Sequence, residues 1–345
     1  MRTSPRIWIL ISSILVSQAL AAESPAQGKP DKTWNEQMKE LGRVYQDLLI
    51  DLSSDERFNA PANRKRIEKN AEKFSHLARD LQKNKKVAPP PDADPSLQII
   101  VGQFAKEADH AYRTLTWGHR SYARSVLRSM TGYCMACHTR SLGASFPAGQ
   151  EPAAFQELKS LEKADFYVSS RQFDRGFEEY ERFVSDPSNL VRQPFDWERA
   201  VRSGVALAVR VKLDPDRALK IVEQALATPR APYYLKEQLR QWKKSLLSWK
   251  AEPSAVAQTE EGHRARAMRL IAEARDLQRY PSDRSADVLY LRASSAVHDL
   301  LTAAPNGRYS TEALYLAGLC YEVLEDLNLW DLHEFYFLAC IFRAP

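Results

Sequence analysis

The sequence predicts an all-α protein, built from a four-helix bundle followed by an α-solenoid. Glycine is sparse, with 12 residues in 345, and helix-forming residues dominate almost every segment. Apolar side chains recur at spacings of three and four, the period of an amphipathic helix. A hydrophobic content of 44% is enough for real cores, and a chain of this length allows two domains of ordinary size.

The first element is a predicted signal peptide over residues 1–21. Arg2 and Arg6 precede an uncharged, largely apolar run over 7–20, and Ala19 and Ala21 supply the small residues that a signal peptidase reads. The run is too short to span a bilayer comfortably, and no later stretch approaches the required length of about 20 residues. We therefore expect an exported, periplasmic protein without a transmembrane segment in the mature chain.

Four amphipathic helices are predicted next, over 32–52, 63–84, 96–118 and 119–138. The first carries its apolar stripe at Trp34, Met38, Leu41, Tyr45 and Leu48, and the other three follow the same spacing. A proline-rich loop over 87–95 separates the second helix from the third. Four helices of this length with connecting loops favour an up-down-up-down bundle over 32–140.

The end of the fourth helix carries the most informative motif, Cys134-Met135-Ala136-Cys137-His138, which reads C-x-x-C-H. Two thiols at this spacing can add across the two vinyl groups of one haem, and the adjacent imidazole can then reach the iron. The motif predicts one covalent haem c, with Cys134 and Cys137 as attachment sites and His138 as an axial ligand. A thioredoxin-like or zinc-binding use of the cysteine pair is the alternative.

A signal peptide, four helices and a terminal C-x-x-C-H resemble the class II c-type cytochromes, the cytochrome c′ type of bundle. The resemblance covers about 34–140 and rests on the position of the motif and the pattern of helices. It implies a sixth iron ligand from the first helix in low-spin members, and an apolar residue there in five-coordinate members. Those bundles often carry a basic residue four positions after the histidine, whereas this chain has Leu142 there and Arg140 two positions after.

Met38 is the candidate sixth ligand. In an antiparallel bundle the start of the first helix and the end of the fourth lie at the same end, and Met38 falls within about 10 Å of that end. It also lies on the apolar stripe, so core packing is its alternative role. His110 and His119 fall about 25 Å or more from the motif, and His76 falls on a polar face.

A linker over 141–152 precedes a second region, 153–345. Small, aromatic and helix-ending residues there follow the order of a tetratricopeptide helical hairpin, at Ala164, Tyr167, Gly176, Tyr180 and Pro187. Partial repeats of the pattern occur at Ala206, Ala218, Ala225 and Pro229, and at Leu314, Gly318 and Tyr321. The region resembles a tetratricopeptide-like solenoid, which implies docking of a partner protein or peptide. Alternatively, an irregular helical array only completes the fold.

Cys320 and Cys340 remain after haem attachment. An oxidising compartment favours a disulfide between them. However, a turn near residue 328 places Cys320 opposite about residue 336, which leaves the register about 6 Å from ideal. Burial as small hydrophobic side chains is the alternative.

These features together predict a periplasmic monohaem cytochrome that carries single electrons and docks a redox partner protein through its helical repeats. A net charge of +5 in 345 residues predicts no nucleic-acid partner. No pattern indicates a catalytic acid, base or nucleophile, so we expect no enzyme; a haem peroxidase is the weakest alternative. A haem-based gas or redox sensor, and an envelope assembly adaptor in which haem is structural, stay open.

Overall fold

All regular structure in the described part of the chain is helical, which confirms the all-α class. The computed structural model describes residues 33–83, 96–139, 151, 153–252, 259–324 and 332–343. The signal peptide, the loop over 87–95, Arg140 and all of the linker except Glu151 lie outside these ranges. The helices are α1 (Trp34–Leu52), α2 (Asp55–Asn59), α3 (Arg64–Lys83), α4 (Ser96–Thr116), α5 (Arg120–His138), α6 (Ser160–Ser169), α7 (Phe173–Ser185), α8 (Pro187–Arg192), α9 (Pro194–Ala206), α10 (Pro215–Ala227), α11 (Tyr233–Ala251), α12 (Glu260–Leu277), α13 (Asp287–Ala303), α14 (Ser310–Val323) and α15 (Leu332–Arg343).

The start of α1 is fixed by a capping box. The backbone N–H of Thr33 donates to Glu36 Oε2 at 2.8 Å, and Glu36 N donates to Thr33 Oγ1 at 3.4 Å. This reciprocal pair satisfies N–H groups that have no partner within the helix. The helix therefore begins close to the predicted position.

One aromatic ring from each of α1, α3, α4 and α5 joins these helices through a shared core. The ring centroids of Tyr45 and Phe74 lie 5.2 Å apart, those of Phe74 and Phe104 5.5 Å, and those of Phe104 and Tyr133 5.8 Å. Such pairs are worth about 0.5–1.5 kcal/mol each beyond the area they bury. The chain of rings holds the four helices side by side, with each neighbour in the sequence running antiparallel to the last.

From α6 onward the described helices pack largely as hairpins between sequence neighbours. The most extensive of these pairs are α6 with α7, α10 with α11, α12 with α13, α13 with α14, and α14 with α15. A π-helical segment, Leu207–Lys212, extends α9 and ends at Leu213 in the left-handed conformation, with φ 53°. The last described helix, α15, packs against α4. None of the described helices is long and apolar enough to cross a membrane.

The register of the last hairpin agrees with the sequence argument about Cys320 and Cys340. Tyr321 and Tyr336 stack with ring centroids 5.1 Å apart, which sets Cys320 opposite about residue 336. Cys320 is buried, Cys340 is half-buried, and both are free thiols. The arrangement is that of two cysteines packed separately.

Gly176 tests whether the α6–α7 hairpin needs a glycine. An added Cβ would lie 2.7 Å from Val168 Cγ2 and 3.3 Å from the Ala164 carbonyl oxygen, and neither the stiff valine nor the backbone can move away cheaply. We expect Gly176→Ala to lower the free energy of unfolding by about 1–3 kcal/mol in a denaturant titration.

Gly102→Ala is the matched control, because an added Cβ on α4 meets only Gln82 Nε2, at 3.5 Å. This change should be neutral or stabilising by up to about 1 kcal/mol, the difference in helix propensity. Equal effects of the two substitutions would contradict the packing assigned to Gly176.

Candidate functional site

The C-x-x-C-H motif forms the last turn of α5, and this turn lies between the two halves of the described chain. Cys134 and Cys137 are half-buried and share a helix face with Met130, which is fully buried, and with Tyr133, whose ring packs on Phe104 of α4. Met135 and Thr139 face the other side and line one small cavity with residues of α6, α7 and the π-helical segment. The two thiols therefore point to the bundle side of α5.

The imidazole of His138 is held by the second half of the chain. Its Nδ1–H donates to the backbone carbonyl oxygen of Ser169, the last residue of α6. Burial, with a smaller effect from the charge of Arg171, lowers the pKa of His138 to about 4. The ring is therefore neutral at pH 7, and Nε2 is the nitrogen left to bind a metal. A hydrogen bond from the second ring nitrogen to a carbonyl is the usual arrangement for a histidine that ligates a metal.

Cys134 is held as an uncharged thiol. Burial, and then the neighbouring Cys137, raise the pKa of Cys134 to about 12. Neither side chain forms a disulfide, and the two lie on successive turns of one helix.

The register between α1 and α5 sets the level of Met38. Tyr45 Oη lies 2.6 Å from Thr131 Oγ1 and donates to the Leu127 carbonyl oxygen at 3.1 Å. Met38 comes about two turns earlier on the same face of α1, about 10 Å along the axis. Because the helices are antiparallel, this step leads to the level of Cys137. Met38 is half-buried and packs against the same core as Cys137.

A second contact fixes the same register at the opposite end of α5. Arg124 Nε and Nη2 donate to the Leu52 carbonyl oxygen at 3.0 and 2.6 Å. This carbonyl ends α1 and has no partner within the helix. The two helices are thus pinned at two levels, which restricts sliding of Met38 past the motif.

These residues fit a covalently bound haem. Two thiols lie on one face, the imidazole presents Nε2, and a thioether sulfur lies at the same level on a facing helix. His76 is exposed and bonded to Arg79, and His110 packs on Tyr122 at the far end of α5. In the part of the chain that the structure describes, no three His, Cys, Asp or Glu side chains are grouped to hold a metal ion by themselves.

No protein-family model, curated protein or solved structure matches the chain. The sequence alone predicts the two cysteines, the histidine and Met38 as site residues. It does not predict Ser169 or Arg171, because a backbone carbonyl has no sequence signature and an arginine in a turn is ordinary.

Tyr45 tests the register of the site. Tyr45→Phe keeps the ring stacking and removes the hydroxyl, so Thr131 and the Leu127 carbonyl lose a buried partner. We expect a loss of about 1–2 kcal/mol in the free energy of unfolding. Tyr122→Phe removes a hydroxyl from a side chain that is 56% exposed and should change it by less than about 0.5 kcal/mol. A Tyr45→Phe protein as stable as the parent would show that this hydroxyl does not fix the register.

Proposed function

We propose that the protein is a periplasmic monohaem c-type cytochrome that carries single electrons. The observation that carries this proposal is the last turn of α5, where two thiols share a face and His138 is oriented by the Ser169 carbonyl. The predicted signal peptide supports it, since haem of the c type is attached outside the cytoplasmic membrane in bacteria. The four-helix resemblance to class II cytochromes supports the same assignment.

Each residue of the site has a distinct part in this proposal. Cys134 and Cys137 would hold the haem through thioether bonds, each formed by addition of an S–H across a vinyl double bond, with sulfur bonding to one carbon and hydrogen to the other. His138 would ligate the iron through a ring nitrogen, and Met38 would ligate it through sulfur. When bound, haem supplies an iron that takes up and returns one electron. A thioether opposite histidine raises the reduction potential relative to two nitrogen ligands, which suits electron transfer.

The helices from α6 onward are the part proposed to dock the redox partner. Large apolar side chains are exposed at the starts of α9 and α11, with Phe195 at 87% and Tyr233 at 77%. Tyr234 Oη donates to Glu198 Oε2 at 2.6 Å, which joins these two helix starts into one surface. Contiguous exposed apolar patches mark protein interaction sites, and we assign docking of the partner to these two helix starts.

An optical spectrum of the full chain, exported together with the haem-attachment machinery, tests the proposal. We expect haem that survives denaturing electrophoresis, and a reduced low-spin spectrum that carbon monoxide leaves unchanged. Met38→Leu should give a high-spin spectrum that shifts with carbon monoxide, because the sulfur is lost while the volume is kept. Met130→Leu is the control, since this buried side chain lies on the same helix as His138 and should leave the spectrum unaltered.

The outcomes separate the competing functions. A parent protein that is already high-spin and binds carbon monoxide would contradict Met38 as the sixth ligand. It would favour a gas sensor over an electron carrier. Parent protein without covalent haem would overturn the cytochrome assignment and favour an exported adaptor. If the protein is a c-type cytochrome, the double substitution Cys134→Ser and Cys137→Ser should abolish covalent attachment of haem.

A further inference from the structure

The turn that follows α6 satisfies all but one of the carbonyl groups in the last turn of the helix. Backbone N–H groups of the turn donate to the carbonyls of Phe166, Val168 and Tyr167 at 2.9, 3.0 and 2.7 Å, from Ser170, Arg171 and Gln172 respectively. This pattern is a Schellman motif. The remaining carbonyl belongs to Ser169, and it accepts from His138 Nδ1. The imidazole therefore completes the hydrogen bonding of this helix end.

Arg171 occupies the position of the motif that normally holds glycine. Its φ is 61°, in the left-handed region that costs a residue with a side chain about 1–2 kcal/mol. Its half-buried side chain lies two residues after Ser169, in the turn whose carbonyl contacts the His138 ring. An arginine keeps its charge in such a place. A positive charge is thus held beside the motif at the expense of backbone strain.

We propose that the α6–α7 turn, residues 169–172, is part of the haem site, with the Ser169 carbonyl positioning His138 and the Arg171 charge raising the reduction potential of the iron. This inference rests on the proposed function. It assigns the second half of the chain a role at the iron in addition to partner docking. Arg171 is a positioning residue in this scheme, since it acts through charge and turn geometry.

The two groups act on the iron in opposite directions. A carbonyl that accepts the Nδ1 proton makes the imidazole a stronger donor, which favours the ferric state. A nearby guanidinium disfavours the extra positive charge of the ferric state and so favours the ferrous state. The reduction potential therefore depends on both the Ser169 carbonyl and the Arg171 charge. Variants that remove one group and keep the other separate the two effects.

Three substitutions at Arg171 provide this separation in the full-length haem-loaded protein. Arg171→Lys keeps both the charge and the turn. Arg171→Gly removes the charge and keeps the turn, since glycine accepts the left-handed conformation freely. Arg171→Val removes the charge and strains the turn, because a β-branched residue strongly resists positive φ.

Spectroscopic redox titration measures the effect of the Arg171 charge on the reduction potential. Relative to Arg171→Lys, Arg171→Gly should lower the ferrous-to-ferric ratio at a fixed ambient potential by about threefold to thirtyfold, the range expected for a unit charge at partly screened distances. Equal ratios in the lysine and glycine variants would overturn the role of the charge.

The positioning contact is measured through the rate at which the His138 Nδ1 proton exchanges with solvent. NMR of the ferrous protein with labelled histidine gives this rate. Exchange should match the parent in Arg171→Gly and should be at least about fivefold faster in Arg171→Val, because strain of about 1 kcal/mol or more opens the turn. The same rate in both variants would overturn the role of Ser169. Parent protein that carries no covalent haem would instead overturn the proposed function itself, so the two failures are distinguishable.

Discussion

The contact between the His138 imidazole and the Ser169 carbonyl is the interaction on which the rest of the site depends. It joins the last residue of α5 to the last residue of α6, which belong to the two halves of the described chain. On one side α5 contributes Tyr133 to the aromatic core of the bundle, and on the other side Met135 and Thr139 pack toward α6 and α7. Both halves therefore pack against the helix that carries the motif.

The four helices that carry the site were predictable because each is long enough to show several turns of apolar periodicity. Their ends fall within a few residues of the predicted bounds, and Thr33 with Glu36 supplies a capping signal visible in the sequence. Helices α2 and α8 were missed because five or six residues are too few to show a period. The π-helical segment after α9 was missed because its residues continue an ordinary helical pattern.

The side chains of the candidate site could be predicted from the sequence, and the backbone group that contacts them could not. The spacing of Cys134, Cys137 and His138 predicts haem attachment, and the level of Met38 follows from antiparallel helix geometry alone. The Ser169 carbonyl is one of many identical groups, and its approach to His138 depends on how α6 packs. The left-handed position of Arg171 could not be predicted, because glycine is the residue that usually indicates such a position in a sequence.

The hairpin that supplies this carbonyl also connects the motif to the surface proposed for docking. Gly176 allows α7 to pack closely on Val168 and the Ala164 carbonyl of α6. Beyond them, α9 packs on α7, and its exposed start carries Phe195. In the proposed function, a partner that bound at this surface and displaced α7 would also displace the end of α6. Since that end holds the imidazole through the Ser169 carbonyl, docking would then be coupled to His138.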